Sequence, residues 1–312
     1  MLNRPKVTII GTGNVGSALA QRLLTQNIAN VVLVDVLVGK AAGIALDLYQ
    51  AGAVESYDRE VIGTDQYADT ANSDVIVVTA GVPRKPGMDR NDLLRINAQI
   101  VTTSVPQAIA VSPEAIVIVV TNPLDVITYL TWQVSGLPPQ RVIGMAGALD
   151  TARFQSFIAQ ELNISSVDVR AIVMGGHGDL MVPLPRYASV NGIPLTELLS
   201  AKVIAGLLER TRHGGAEIVQ LLQTGSAYFA PAAATHEMIE AILSDRGRII
   251  PASAYLSGEY GLANLFMGVP IKVGKNGVEQ VLELKLTSQE LELLEASAQA
   301  ILANIAELSR SI

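Results

Sequence analysis

The sequence predicts an α/β protein: an N-terminal doubly wound parallel sheet followed by a C-terminal α+β domain. Short runs rich in Val and Ile, with no polar alternation, recur at residues 7–10, 31–34, 61–63, 75–79, 116–121 and 142–144. Such runs suit strands covered on both faces, and the intervening segments are long enough for crossover helices. After about residue 145 this regularity gives way to helical segments mixed with alternating strands and turns such as Asn191-Gly192. Two domains are therefore expected, residues 1–144 and residues 145–312.

The first run leads directly into Gly11-Thr12-Gly13-Asn14-Val15-Gly16, which opens a stretch of helical spacing over residues 14–26. A strand–GxGxxG–helix order is the setting in which these glycines bind a dinucleotide, as in a Rossmann domain. Gly11 permits the tight turn, Gly13 admits a pyrophosphate close to the backbone, and Gly16 allows helix and strand to touch. The helix N-terminus adds free N–H donors and a favourable dipole. A glycine turn without a ligand is the plain alternative. Asp35 ends the second run, where a carboxylate can accept hydrogen bonds from both ribose hydroxyls and repel a 2′-phosphate. NAD is thus expected over NADP, against the alternative of an ordinary polar strand end.

Helical spacing also covers residues 40–49 and 91–110. Before the latter, the run at 75–79 is followed by Gly81-Val82-Pro83-Arg84-Lys85-Pro86-Gly87-Met88-Asp89-Arg90. Proline and glycine stop regular structure there, so a surface loop should carry the two guanidinium forks of Arg84 and Arg90 towards a small anion. Asn122, in Thr121-Asn122-Pro123, ends the fifth run on the ligand side of the sheet, where its amide can meet substrate and cofactor. Pro123 suits a strained or cis turn, and a plain Asn-Pro turn is the alternative.

In the second half, Asp150 and Arg153 stand three apart on one helical face. That spacing fits an intrahelical ion pair. It also fits divided labour, with Asp150 orienting a histidine and Arg153 binding a carboxylate through its fork. His177 sits among glycines in Gly175-Gly176-His177-Gly178-Asp179, after the strand-like residues 169–174. An imidazole, with an ordinary pKa of about 6.5, can accept a hydroxyl proton and return it. Residues 281–286 alternate like a strand with one buried face, and Thr287 with Glu290 forms a capping box for a final helix. That helix, with Leu291, Leu294, Ala298, Ile301, Ile305 and Leu308 on one face, reads as a packing element.

Composition narrows the functional classes. The 312 residues carry a net charge of −7 and no basic run, which argues against nucleic acid as the partner. No cysteine is present and His177, His213 and His236 are the only histidines, so disulfides and thiolate chemistry are excluded and no metal site is expected. His213 and His236 have no comparable constellation and read as surface or interface residues. No apolar run approaches the roughly 20 residues needed to span a bilayer. The N-terminal apolar run stops at Gly11 without a cleavage site, so a cytoplasmic protein is expected.

Together the segments 11–16, 80–90, 120–123, 149–153 and 175–179 resemble the lactate and malate dehydrogenase superfamily. The resemblance is closest to malate dehydrogenases of the lactate-dehydrogenase-like type and runs over nearly the whole chain. It implies an enzyme of the tricarboxylic acid cycle that oxidises (S)-malate reversibly to oxaloacetate with NAD. His177 would be the proton acceptor paired with Asp150, Arg153 the anchor of the C1 carboxylate, and Arg90 the group that polarises the reacting carbonyl. Asn122 would contact substrate and cofactor, Val120 and Thr121 would line the nicotinamide pocket, and Asn97 would be a further cofactor contact. Similar lactate enzymes have a neutral amide where Arg84 stands, so Arg84 implies a second substrate carboxylate. Ala227, where those enzymes have threonine, implies room for it. A homo-oligomer is implied, tetramer before dimer. An L-lactate or broader 2-hydroxy-acid dehydrogenase, an NAD-using glycosidase and a noncatalytic NAD sensor are the competing readings.

Overall fold

The computed structural model describes residues 4–82 and 90–311. Its first six strands are the Val- and Ile-rich runs: β1 (Lys6–Ile10), β2 (Asn30–Val34), β3 (Val61–Thr64), β4 (Val75–Val78), β5 (Ile116–Val119) and β6 (Val142–Gly144). They pair in parallel in the order β3-β2-β1-β4-β5-β6. β4 and β5 are buried along their whole length, as strands covered on both faces must be. The order reverses between β1 and β4, which opens a crevice beyond their carboxyl ends where ligands of such sheets bind.

The crossovers are helical: α1 (Asn14–Thr25), α2 (Val38–Glu55), α3 (Arg90–Val111) and α4 (Leu124–Ser135). α2 outruns the expected 40–49 because Ala51, Ala53 and Val54 continue the helix until Ser56 turns left-handed at φ 62°. After β6 comes α5 (Gly147–Leu162), followed by β7 (Val169–Arg170), β8 (Val173–Gly175), β9 (Met181–Pro183), β10 (Ser189–Val190) and β11 (Ile193–Pro194). The short α6 (Leu195–Leu198) precedes α7 (Ala201–Leu222) and α8 (Phe229–Leu243). The chain closes with β12 (Arg248–Ser257), β13 (Ala263–Gly274), β14 (Gly277–Val281) and α9 (Ser288–Ser311).

β12 joins the open edge of β6 in antiparallel fashion, with Ser253 opposite Gly144. The sheet then continues through β13, β8 and β9, while β7, β10 and β11 form a separate small sheet. Asn191 and Gly192, at φ 46° and 88°, make the tight turn between β10 and β11.

Three expectations need correction. Residues 169–174 are not one strand: Thr151 Oγ1 accepts the Val173 amide at 3.0 Å and Leu184 N donates to Ile172 O, so the chain passes from one sheet to the other at Ala171. The strand read at 281–286 ends at Val281, because the next amides find isolated acceptors, Leu282 N on Pro270 O and Leu284 N on the Tyr260 hydroxyl. His236 is buried in α8, a helix covered on most sides, rather than at a surface. The capping box is present: Glu290 N donates to Thr287 Oγ1 at 3.2 Å and Thr287 N to Glu290 Oε2 at 2.8 Å.

Candidate active site

The glycine turn lies between β1 and α1, and its three glycines do different things. A Cβ on Gly11, at φ 103°, would stand 2.6 Å from Ala80 N, and one on Gly16 would stand 2.1 Å from Gly11 O. Both positions serve the chain's own packing. A Cβ on Gly13 would meet nothing within 4 Å, so that face is open. Gly13 is also the N-cap of α1 and offers no side-chain acceptor, and the first turn contains no acidic residue. The first amides of α1 are thereby left for an anionic ligand.

Asp35 follows β2 beside this turn. Its Oδ2 accepts from Thr12 N at 2.9 Å and Thr12 Oγ1 at 2.5 Å, and its Oδ1 accepts from Leu37 N at 3.1 Å. Burial works to raise its pKa, but the Thr12 and Leu37 hydrogen bonds and Lys40, 3.7 Å away, outweigh it and hold the carboxylate below its ordinary value. A charged acceptor thus sits where an adenosine ribose would approach. The open amides, the bare face of Gly13 and this carboxylate fit an NAD molecule.

At the carboxyl end of β5, Asn122 is joined to Pro123 by a cis peptide. Asn97 is buried, with Oδ1 accepting the Val82 amide at 2.8 Å and Nδ2 donating to Asn122 O at 2.7 Å. Thr121 Oγ1 donates to Ala80 O at 2.8 Å. The side chains of Asn97 and Thr121 therefore shape the backbone around the crevice. Arg84 lies outside the described residues, as does the side chain of Arg90, whose backbone begins α3.

Asp150 and Arg153 lie in the first turns of α5, and the ion pair that their spacing suggests is formed. Asp150 Oδ1 accepts from Arg153 Nη1 at 3.0 Å, while Oδ2 lies 2.8 Å from Nδ1 of His177. One carboxylate, only 2% exposed, thus makes both the ion pair and the contact to the histidine. Burial disfavours the charged imidazole, and Arg153 opposes it as well. The charge and hydrogen bond of Asp150, with a further contribution from Asp125, prevail and raise the His177 pKa above its ordinary value. Nδ1 is committed to Asp150, which leaves Nε2 as the nitrogen available to a ligand. The Nε of Arg153 is buried and has no hydrogen-bond partner among the described residues.

His177, Arg153, Asn122, Val120 and Val15 line one cavity of about 320 Å³, which Ser226 and Ala227 close from the segment before α8. Helix α7 makes room for Arg153 with adjacent glycines: a Cβ on Gly214 would come within 3.3 Å of the arginine's Cδ, and one on Gly215 within 3.4 Å of Nη2. Mid-helix glycine costs about 1 kcal/mol relative to alanine. The tight approach to the arginine's Cδ is a physical reason to bear it at Gly214, whereas a Cβ on Gly215 would make only ordinary contact with the guanidinium.

Sequence reasoning missed Asp125, Ser253 and Ser297. Asp125 Oδ2 accepts the His177 amide at 2.9 Å, and Ser297 Oγ accepts the Gly176 amide at 2.7 Å. One signal was available for Asp125: a carboxylate inside the apolar string Leu124-Asp125-Val126-Ile127. Nothing in sequence links Ser253 or Ser297 to residue 177.

Residues 5–144 match the family described as lactate/malate dehydrogenase, NAD binding domain, and residues 147–311 match its alpha/beta C-terminal domain. The malate dehydrogenase of Nostoc punctiforme is 58% identical over 303 residues, covering 97% of this chain and 93% of its own. Among solved structures, the malate dehydrogenase of Salinibacter ruber superposes with a TM-score of 0.94 at 48% identity, covering 98% of both chains. A lactate dehydrogenase of Cryptosporidium parvum, complexed with lactic acid and nicotinamide adenine dinucleotide, reaches 0.96 at 42% identity and covers 99% of both. The glycine turn, the candidate acid–base pair and matches over both halves converge: this chain belongs to the lactate/malate dehydrogenase family, NAD-using oxidoreductases.

Proposed function

We propose that the protein catalyses the reversible NAD-dependent oxidation of (S)-malate to oxaloacetate. The observation that carries this reading is Asp150, a buried carboxylate that holds a proton acceptor with one oxygen and a carboxylate receptor with the other. NAD supplies the chemistry of hydride transfer at the substrate's C2, accepting in oxidation and returning in reduction. His177 takes the C2 hydroxyl proton on Nε2, and Asp150 stabilises the imidazolium that results. Arg153 binds the C1 carboxylate with the donors that Asp150 leaves unused. Asn122 orients the C2 oxygen, Arg90 polarises it, and Arg84 pairs with the distal carboxylate. The last two roles rest on sequence alone. Ser226 and Ala227, small residues on the cavity wall, support a longer diacid.

The division into a cofactor domain, residues 1–144, and a substrate domain, residues 145–312, belongs to the same proposal. So does assembly as a homo-oligomer, tetramer before dimer, supported by the exposed Leu46, Tyr49 and Val54 on α2. Among the described residues, no helix is long and apolar enough to cross a membrane.

Initial rates with oxaloacetate and pyruvate distinguish this reading from a lactate dehydrogenase. Arg84→Gln is expected to move the ratio of kcat/KM towards pyruvate by about a hundredfold or more, since a fork forms two charge-assisted hydrogen bonds. Retained oxaloacetate selectivity in that variant would sink the role of Arg84.

The raised His177 pKa gives a second test. Malate needs the neutral ring and oxaloacetate the protonated one, so kcat/KM for malate oxidation should rise with pH through a value above about 6.5 while that for reduction falls through it. Profiles of the same sign in both directions would count against His177 as the proton carrier.

A further inference from the structure

Successive amides of the loop that carries His177 point into buried side chains from distant parts of the chain. Gly176 N donates to Ser297 on α9, and His177 N to Oδ2 of Asp125 on α4. The other carboxyl oxygen, Oδ1, takes the Ser253 hydroxyl of β12 at 2.7 Å. Asp125 is 5% exposed and lies in the first turn of α4, immediately after the Asn122-Pro123 turn. An aspartate at a helix start ordinarily faces solvent and its own helix amides. This one is buried away from water, which is costly unless its oxygens are satisfied, and both partners come from other elements.

We propose that Asp125 is a positioning residue: its carboxyl bridges the Asn122 turn to the backbone of His177 and so keeps the imidazole on Asp150 with Nε2 facing the cavity. It rests on the reading of His177 as proton acceptor. Asp150 fixes the ring but not the backbone beneath it; Asp125 fixes that backbone and ties it to the strand end that meets the cofactor. Removing the bridge leaves Asp150 in place and frees the loop, and a displacement of about 1 Å can cost a hundredfold in rate. The titratable and charged groups around His177 are Asp150 and Arg153 from α5, Asp125 from α4, whose burial raises its carboxyl above the ordinary value against the Ser253 and His177 hydrogen bonds, Asp179 in the loop itself and Arg212 on the α7 wall of the cavity. Ser297 meets the loop as a neutral hydroxyl, and Ser253 meets Asp125 as another. Asp150 is the group that most favours the charged ring, so a loosened ring titrates at lower pH.

The test uses the full chain with Asp125→Ala and Asp125→Asn, NADH-binding sites being counted by fluorescence titration so that kcat refers to cofactor-competent protein. Asn keeps an acceptor for the His177 amide and turns an N–H towards the Ser253 hydroxyl. Asp125→Ala should lose roughly 10- to 100-fold in kcat with unchanged NADH affinity, and its kcat/KM profile should move to lower pH. Asp125→Asn should recover most of the kcat. A lowered Tm with wild-type kcat per site and an unmoved profile overturns the proposal, as does an Asn variant as slow as the Ala variant. Should Asp125→Ala not fold, Ser253→Ala removes one arm of the bridge, and its kcat and pH profile must then move in the same direction. His177→Asn measured in parallel separates the two levels: if it stays active, the reading of His177 fails, whereas an inactive His177→Asn beside a fully active Asp125→Ala overturns the bridge alone.

Discussion

His177→Asn is expected to lower kcat by about 10²–10⁴-fold in both directions, the usual contribution of a positioned acid–base group. The substitution isolates one atom. An asparagine amide nitrogen occupies much of the space of Nδ1 and can still donate to Asp150 Oδ2, so the 2.8 Å contact has a successor. Nothing replaces Nε2. The charge of Asp150 and its bond to Arg153 are retained, so substrate binding should suffer less than turnover. The opposite pH trends of the wild type should flatten, because the titrating group is gone. Steady-state rates across pH in both directions check each part, and a variant that keeps the wild-type pH dependence would remove His177 from the mechanism.

Arg153→Leu should cut kcat/KM for oxaloacetate by roughly 10²–10⁴-fold, from the loss of two charge-assisted hydrogen bonds at about 1.5–3 kcal/mol each. Arg153 lines the cavity beside His177, and that is the structural ground for expecting a ligand carboxylate there. Leucine fills part of the space between α5 and the glycines of α7 but supplies no donor. The loss should fall mainly on KM. A second effect has a definite sign: Arg153 opposes the charge on His177, so its removal raises the ring's pKa further and moves the malate-oxidation limb to higher pH. Arg153→Lys should retain part of the binding but not the fork geometry. Unchanged KM in Arg153→Leu would place the substrate carboxylate elsewhere.

Local physics explains which parts of this molecule could be read from sequence. β4 and β5 are legible because burial on both faces demands an unbroken apolar run, and Val75 to Val78 leaves little else to be. The glycine turn is legible because its spacing between strand and helix is local, with Gly16 packed on Gly11 O, although the contact that requires Gly11 comes from Ala80 beyond β4. Residues 169–174 and 281–286 misled because a strand-like side-chain pattern does not supply a partner ladder: Val173 N turns to Thr151 Oγ1 and Leu284 N to the Tyr260 hydroxyl. Asp150, Arg153 and His177 could be singled out by chemical type. That one carboxylate serves both partners could not, since the contact to His177 depends on how α5 packs against the β8 loop. Ser253 and Ser297 are the extreme case, each bonded across more than a hundred residues with no local trace.

Those separations place a clock on assembly. Gly176 and Ser297 are 121 residues apart, and Ser253 and Asp125 are 128 apart. At about 5–20 residues per second on the ribosome, the loop of His177 waits roughly 6–24 s after synthesis before the serine that satisfies its neighbouring amide exists. Throughout that interval the cofactor half can form its parallel sheet, because the β3-β2-β1-β4-β5-β6 ladder is complete by residue 144. The nascent chain can therefore acquire its nucleotide fold well before α9 supplies the hydroxyl that takes the Gly176 amide beside His177.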